Sequence, residues 1–140
     1  MFLLDTNVIS ELRRPERTNP NVVAWAAAFP AASFFLSAIS ILEIEIGTLR
    51  LARKDPAQGA LLRAWIDEQI LPRFEGRILP VDTNVVQRCA RLHVTDPRSE
   101  RDALIAATAL VHSLTVVTRN TADFEATGVA LLNPWNQPVG

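Results

Sequence analysis

The amino-acid sequence predicts one α/β domain with a mostly parallel central β-sheet flanked by α-helices. Its 140 residues are enough to build a single core, and 49% of them are hydrophobic against 21% charged. This composition is typical of a packed domain and excludes a disordered chain. Short apolar runs also alternate with segments of helical periodicity along the sequence. Such alternation is the pattern of an open sheet whose strands are connected by helices.

The first thirty residues contribute one predicted strand and two helices. A short apolar run ends at Asp, Thr and Asn residues, which favour the starts of helices. The second helix has Pro20 near its start and Pro30 at its end, both positions where proline is tolerated. We therefore predict a strand at 2–4 and helices at 8–13 and 20–29.

The middle of the chain contains a second strand and two further helices. An apolar run bounded by serines is short enough for a buried strand, and the segments after it carry apolar residues at helical spacing. We predict a strand at 33–37 and helices at 39–52 and 57–71.

The remaining residues alternate between strand and helix again. An Asp-Thr pair at 82–83 caps a helix, and a later helix is apolar on nearly all sides, which indicates that it is buried. We predict strands at 77–80, 115–118 and 129–132, and helices at 83–93 and 104–112.

The composition excludes several kinds of site. One cysteine cannot form an internal disulfide, and with two histidines it cannot build a zinc centre, so any metal must have oxygen ligands. A net charge of -1 provides no overall attraction for nucleic acid, so local arginines would have to supply it.

No segment of the sequence predicts membrane insertion or export. Residues 22–42 carry no charge, but Pro30 and several serines divide them into a helix end, a strand and a helix start. The first residues have neither the basic region nor the long apolar run of a signal peptide. We expect a soluble, cytoplasmic protein.

Acidic residues lie where the predicted strands end and the helices begin, which is the edge that carries the site in open α/β sheets. Asp5 directly follows the first strand, Asp102 opens the apolar helix, and Asp123 follows the strand at 115–118. Each has a structural explanation as well. Asp5 alone is best explained as a helix cap, and the structural and functional interpretations of Asp102 are balanced.

A fourth carboxylate lies on the helix after the second strand, where two residues compete. Glu43 and Glu45 fall on opposite borders of the apolar face, so periodicity does not choose between them. Gly47, one turn beyond Glu43, would let a ligand or another segment come close, which slightly favours Glu43.

Four carboxylates at one sheet edge repel one another unless a cation neutralises them. No cationic cluster lies beside them in the sequence, so a hard divalent metal is the simplest remedy, and Mg²⁺ and Mn²⁺ both accept carboxylate oxygens. Such a site activates water and stabilises in-line displacement at phosphorus. The predicted chemistry is phosphodiester hydrolysis.

Taken in order, five segments resemble PIN-domain proteins, specifically the VapC toxins of type II toxin–antitoxin pairs, including the FitB-like branch. The resemblance covers the whole chain and implies a single PIN domain over residues 1–140 with a PIN-like fold. The segments are LLDTNVIS at 3–10, SAISILEIEIG at 37–47, DALIAATA at 102–109, TRNTADF at 118–124 and LLNPW at 131–135.

This resemblance implies a Mg²⁺- or Mn²⁺-dependent endoribonuclease that forms a homodimer. It also implies a cognate antitoxin that neutralises the enzyme and binds operator DNA, so the toxin meets DNA only indirectly. The residues that match the family's catalytic and metal-binding quartet are Asp5, Glu43, Asp102 and Asp123. The match selects Glu43 over Glu45.

Polar residues around the quartet are also candidates. Thr6, Thr118 and Asn120 match the family's supporting positions, and Arg119 is a candidate contact for an RNA phosphate because it follows a strand beside Asp123. The chain departs from the family just before Asp102, where Glu100 and Arg101 replace a small or apolar pair. This departure affects the local geometry expected at that helix start, not the assignment of Asp102.

Two other functions compete with the ribonuclease. The chain could be a non-catalytic PIN-like protein that dimerises and anchors a DNA-binding antitoxin, although such a scaffold has no reason to keep four acids. It could also be a phosphatase with an aspartate nucleophile, but those enzymes generally need a second Asp where this chain has Asn7.

Overall fold

The computed structural model describes residues 1–95 and 99–136, and these form one five-stranded sheet with helices around it. Residues 96–98 and 137–140 of the predicted domain lie outside the described residues. The strand order is β3-β2-β1-β4-β5, and every pair of neighbours is parallel. The strands are β1 (Phe2–Leu4), β2 (Phe34–Ser37), β3 (Ile78–Leu79), β4 (Thr115–Val117) and β5 (Leu131–Leu132).

Helices connect the first four strands, as the alternating sequence pattern predicts, whereas two 3-10 turns connect β4 to β5. Asn19 caps α2 with its side chain, and Ser37 caps α3 in the same way, because Asn and Ser oxygens accept from backbone N–H groups at helix starts. The helices are α1 (Thr6–Glu11), α2 (Pro20–Ala27), α3 (Ala38–Lys54), α4 (Pro56–Trp65), α5 (Leu71–Arg73), α6 (Thr83–Thr95) and α7 (Glu100–His112).

The structure changes several of the predicted boundaries. The helix predicted at 57–71 contains a π-helical turn, Ile66–Ile70, between α4 and α5. Ser33 belongs to a 3-10 turn before β2, and β5 is two residues shorter than predicted. Helix α7 begins at Glu100 after the N-cap Ser99, so Asp102 lies in its first turn and does not open it.

The central strands carry apolar side chains to both faces of the sheet. Leu3 pairs with Val116, and both belong to a core that includes residues of α7. Leu4 pairs with Val117, and both belong to a second core beneath α1 and α2. Because the two faces are covered, the strand ends are the exposed part of the sheet, as expected for a parallel α/β sheet.

Small residues determine how closely the helices pack. Gly59 of α4 lies so near α3 that an added Cβ would come within 2.5 Å of Ala52. This close approach brings the two helices together. Arg63 of α4 then lies against Glu45 of α3. Among the described residues, no helix is long and apolar enough to cross a membrane.

Candidate active site

Asp5 lies at the carboxyl edge of the sheet, between β1 and α1. Its backbone N–H donates to Val117 O of β4 at 2.9 Å, which fixes the residue against the neighbouring strand. Its side chain is 7% exposed and caps α1 by accepting from the backbone N–H of Thr6 at 2.8 Å. The cap and the predicted site residue are therefore the same carboxylate.

Two further side chains hold the second oxygen of Asp5. Thr118 Oγ1 donates to Asp5 Oδ2 at 2.8 Å, and Asn7 Nδ2 lies 3.3 Å from the same oxygen. Thr118 also accepts from the backbone N–H of Asn120 at 3.0 Å. Thr118 thus contacts Asp5 directly, whereas Asn120 contacts Thr118, and only through its backbone N–H.

Burial raises the pKa of Asp5 above its ordinary value, because a charged carboxylate loses hydration there. The hydrogen bonds from Thr118 and Thr6 lower this pKa, and the negative charge of Asp123 raises it further. The net direction is upward. A carboxylate that is buried and repelled by another acid is a group that a cation would stabilise.

Glu43 and Glu45 have different surroundings, although periodicity does not separate them. Thr6 Oγ1 donates to Glu43 Oε1 at 2.9 Å, which links Glu43 to the residue beside Asp5. Glu45 instead forms a two-fold ion pair with Arg63 of α4, with contacts of 2.6 and 2.8 Å. This pair holds the pKa of Glu45 below its ordinary value. Of the two glutamates, Glu43 is therefore the one that hydrogen bonds connect to Asp5, through Thr6.

The space beside Glu43 is open. Gly47 is exposed, and a Cβ built there would meet nothing within 4 Å. Within the described residues there is therefore open space at Gly47, one helical turn beyond Glu43.

The other two predicted acids differ in their placement. Asp123 is exposed in the 3-10 turn Thr121–Asp123, close enough to Asp5 for its charge to act on the pKa of Asp5. Asp102 is half-buried in the first turn of α7, a helix that packs against α3 and β4. Glu100, in the same turn, is exposed. Burial of the Cys89 thiol raises its pKa, and the negative charge of Glu100 raises that pKa further.

The structure brings the predicted acids together only in part. Within residues 1–95 and 99–136, no three His, Cys, Asp or Glu side chains are grouped closely enough to hold a metal ion. Asp5 and Glu43 are joined through Thr6, and Asp123 acts on Asp5 through its charge. The donor chemistry nevertheless fits a hard divalent cation, because Asp5 and Glu43, which Thr6 connects, both offer carboxylate oxygens.

Arg119 lies beside this site, and its contacts involve residues that sequence reasoning did not select. Its backbone N–H donates to Asn7 Oδ1 at 3.2 Å, and its guanidinium lies 5.2 Å from the ring centre of Trp135. The sequence offers no signal for this pairing, because Trp135 lies in a separate 3-10 turn (Pro134–Asn136) beyond the last strand.

An apolar groove lies apart from these acids. It has a volume of about 580 Å³ and contains none of the four predicted acids. Trp65 and Arg13 line it, with the Arg13 guanidinium 5.9 Å from the ring centre of Trp65.

Ser40 is a buried hydroxyl without a hydrogen-bond partner in the part of the chain that the structure describes. An unsatisfied buried group costs about 1–3 kcal/mol. We therefore expect Ser40→Ala to raise the free energy of unfolding by about 1 kcal/mol, measured by urea denaturation. Ser37 is the matched control, since it is equally buried but caps α3. Ser37→Ala should lower stability by about 1 kcal/mol. A Ser40→Ala variant as unstable as Ser37→Ala would contradict this expectation.

Thr118 provides a test of the pH dependence. Its hydrogen bond lowers the pKa of Asp5, so Thr118→Val should raise that pKa further. Because a metal needs the ionised carboxylate, Mn²⁺ affinity should then be lost at a higher pH than in the wild type. Calorimetric titrations across a pH series measure this shift. An unchanged pH dependence would show that Thr118 does not control the ionisation of Asp5.

Comparison with known proteins identifies the fold family. Residues 2–129 match the PIN domain. The chain belongs to the PIN domain family. Toxin FitB from Neisseria gonorrhoeae is 42% identical over 142 residues, with 97% of this chain and 99% of that protein covered. The VapC ribonuclease Y4jK from Sinorhizobium fredii is 36% identical over 142 residues, with 96% and 98% covered.

A solved structure confirms the predicted PIN-like fold. The structure of FitAB bound to the IR36 DNA fragment matches with a TM-score of 0.87 at 40% identity, and the match covers 99% of both chains. This PIN domain and the matched chain therefore share one fold over nearly the whole of both chains.

Proposed function

We propose that this protein is a metal-dependent endoribonuclease and the toxin of a type II toxin–antitoxin pair. The observation that carries the proposal is the buried Asp5 carboxylate, whose pKa is raised and which connects through Thr6 to Glu43. Its relatives FitB, a toxin, and Y4jK, a VapC ribonuclease, support this assignment over nearly the whole chain. On this proposal a single PIN domain spans residues 1–140.

Four carboxylates would hold the metal and serve as the catalytic residues. Asp5 and Glu43 are its first ligands, since they are the two acids that Thr6 connects. Asp102 and Asp123 complete the oxygen set from α7 and from the turn after β4. When bound, Mg²⁺ or Mn²⁺ polarises the phosphodiester and makes water a stronger nucleophile.

The chain's own polar groups orient these acids. Thr118 and the backbone of Thr6 hold the two oxygens of Asp5 in place, while the Thr6 hydroxyl holds Glu43. The backbone of Asn120 donates to Thr118, which keeps that hydroxyl directed at Asp5. Arg119 contacts a phosphate of the RNA.

The partners of the proposed toxin are its antitoxin and a second copy of itself. The solved FitAB structure, bound to a DNA fragment, supports indirect contact with operator DNA through the antitoxin. Exposed leucines on α3 support a homodimer, because Leu42 is 45% and Leu49 is 60% exposed. The two leucines lie on the same face of α3, about two helical turns apart, where a second copy of the chain could cover both.

The test is RNA cleavage by the purified protein, free of any partner, in Mg²⁺ or Mn²⁺ with an EDTA control. We expect cleavage that requires the metal and stops when the antitoxin is added. A protein that binds Mn²⁺ but cuts no RNA in a structured pool would contradict the ribonuclease assignment.

The second candidate is a non-catalytic PIN protein that dimerises and anchors a DNA-binding antitoxin. It is favoured by the lack of a ready-made three-carboxylate metal group among the described residues. The two functions differ in metal binding, which the scaffold does not need.

A further inference from the structure

Arg119 is held at three points although its side chain is exposed. Its backbone N–H donates to Asn7 Oδ1, and its carbonyl accepts from Asn133 Nδ2 at 3.3 Å. The guanidinium lies over the ring of Trp135. Two of these contacts fix the backbone of Arg119, and the stacking on Trp135 restrains its guanidinium, which reduces the side-chain freedom that ligand binding would cost.

Trp135 is itself anchored. Its backbone N–H donates to Asn133 Oδ1 at 3.0 Å, and its carbonyl accepts from Asn21 Nδ2 at 2.8 Å. Its half-buried ring packs against the core beneath α1 and α2. Trp135 thus offers a fixed surface on which the guanidinium can stack.

The position of Arg119 is unusual for a cation. It follows Thr118, which touches Asp5, and it precedes Asp123 by four residues in the same loop. Even so, within the described residues the Arg119 side chain forms no ion pair with either acid. Its guanidinium contacts the ring of Trp135 instead, so in the described part of the chain it pairs with neither carboxylate.

Arg119 also differs from the other stacked arginines. The Arg77 guanidinium lies over Phe74, but it donates to the carbonyls of Ala31 and Phe34 and is therefore occupied. Arg13 stacks on Trp65 in the apolar groove, away from the acids. Arg119 combines a stacked guanidinium with a place at the site.

We propose that Arg119, stacked on Trp135, forms a phosphate-binding subsite for the RNA nucleotide next to the scissile bond, with Trp135 holding the guanidinium off Asp5 and Asp123. This inference rests on the proposed ribonuclease function. A guanidinium stacked by its face keeps its N–H edge free, and that edge matches two phosphate oxygens. Trp135 is a positioning residue, since it acts through Arg119.

Binding of a short single-stranded RNA of random sequence tests the subsite. The Asp5→Asn protein serves as the background because it should bind RNA without cutting it. Adding Arg119→Gln should weaken binding about tenfold and reduce the slope of log affinity against log salt by about 0.7, as expected for one lost phosphate contact to a single strand. Trp135→Leu should weaken RNA binding by a similar factor. Trp135→Phe keeps an aromatic face, so it should bind RNA with nearly the affinity of the Asp5→Asn protein.

The matched controls are Arg13→Gln and Trp65→Leu, which break the other arginine–tryptophan stack. Both should leave RNA affinity and its salt slope unchanged. If Arg119→Gln binds RNA with the background affinity and slope, the subsite is wrong. Equal losses in Arg13→Gln would show general attraction to positive charge and would also overturn it.

Metal binding separates positioning from packing. In the otherwise wild-type protein, Trp135→Leu frees Arg119 to pair with the carboxylates, so Mn²⁺ affinity should fall about tenfold. Arg119→Gln should bind Mn²⁺ at least as tightly as the wild type, and adding it to Trp135→Leu should restore affinity. A double variant that binds as weakly as Trp135→Leu would show that Trp135 acts only through packing.

Failure of the subsite can be distinguished from failure of the proposed function. A wild-type protein that neither binds Mn²⁺ nor cuts RNA contradicts the ribonuclease proposal itself. Metal-dependent cleavage by the wild type, together with unchanged RNA binding in Arg119→Gln, contradicts only the subsite.

Discussion

Replacing Asp5 by Asn should abolish metal-dependent RNA cleavage, with a loss of about a thousandfold or more. Hydrogen bonds from Thr6 and Thr118 hold both oxygens of Asp5 in place. The amide keeps the shape of the side chain but removes the charge that a divalent metal requires. Single-turnover cleavage of a sensitive RNA substrate in Mn²⁺ measures the loss.

The same substitution should not unfold the protein. The raised pKa of Asp5 means that ionisation costs the folded state stability. This cost is absent at a pH below the pKa of Asp5 in the unfolded chain. It is fully present at a pH above the raised pKa of Asp5 in the folded protein. Asp5→Asn should therefore be at least as stable as the wild type at pH 7, and any advantage should disappear in acid. Asn also retains the ability to cap α1.

Thermal unfolding at pH 7 and in acid checks this behaviour. An Asp5→Asn protein that is well folded and still cuts RNA at the wild-type rate would remove Asp5 from the catalytic site. A nuclease contaminant is excluded if the activity of the wild type elutes with the protein and is inhibited by the antitoxin.

Glu43→Gln should weaken Mn²⁺ binding about a hundredfold, or about 2.7 kcal/mol, because it removes one negatively charged oxygen ligand. Glu45→Gln is the matched control on the same helix. This substitution breaks the ion pair between Arg63 and Glu45, whose side chains are 38% and 30% exposed, respectively. The cost should be at most about 1 kcal/mol of stability, with little effect on the metal.

Calorimetric Mn²⁺ titration and urea denaturation of both variants distinguish the two glutamates. If Glu45→Gln loses metal affinity and Glu43→Gln does not, the assignment from the Thr6 hydrogen bond is reversed. Equal, small effects would place neither residue at the metal.

The arrangement of strands and helices was largely predictable from the sequence. Hydrophobic periodicity locates each strand, since a parallel sheet buried on both faces needs short apolar runs. The boundaries were less predictable. The first turn of α7 contains the polar residues Glu100 and Arg101, so the apolar pattern alone places the helix start too late.

The site was predictable only in part. Asp5 could be identified from the local sequence, because it follows a strand and is a residue type that caps helices. Glu43 and Glu45 could not be separated, because the residue that engages Glu45 is Arg63, 18 positions away on another helix. The contact of Arg119 with Trp135 likewise joins two loops that periodicity does not relate.

The most direct test of the proposed metal site is a calorimetric titration of the wild-type protein with Mn²⁺, repeated on Asp5→Asn. We predict saturable binding by the wild type that weakens as pH falls through the raised pKa of Asp5 and is lost in the variant. Absence of saturable binding by the wild type, or equal binding by both proteins, would contradict a carboxylate metal site centred on Asp5.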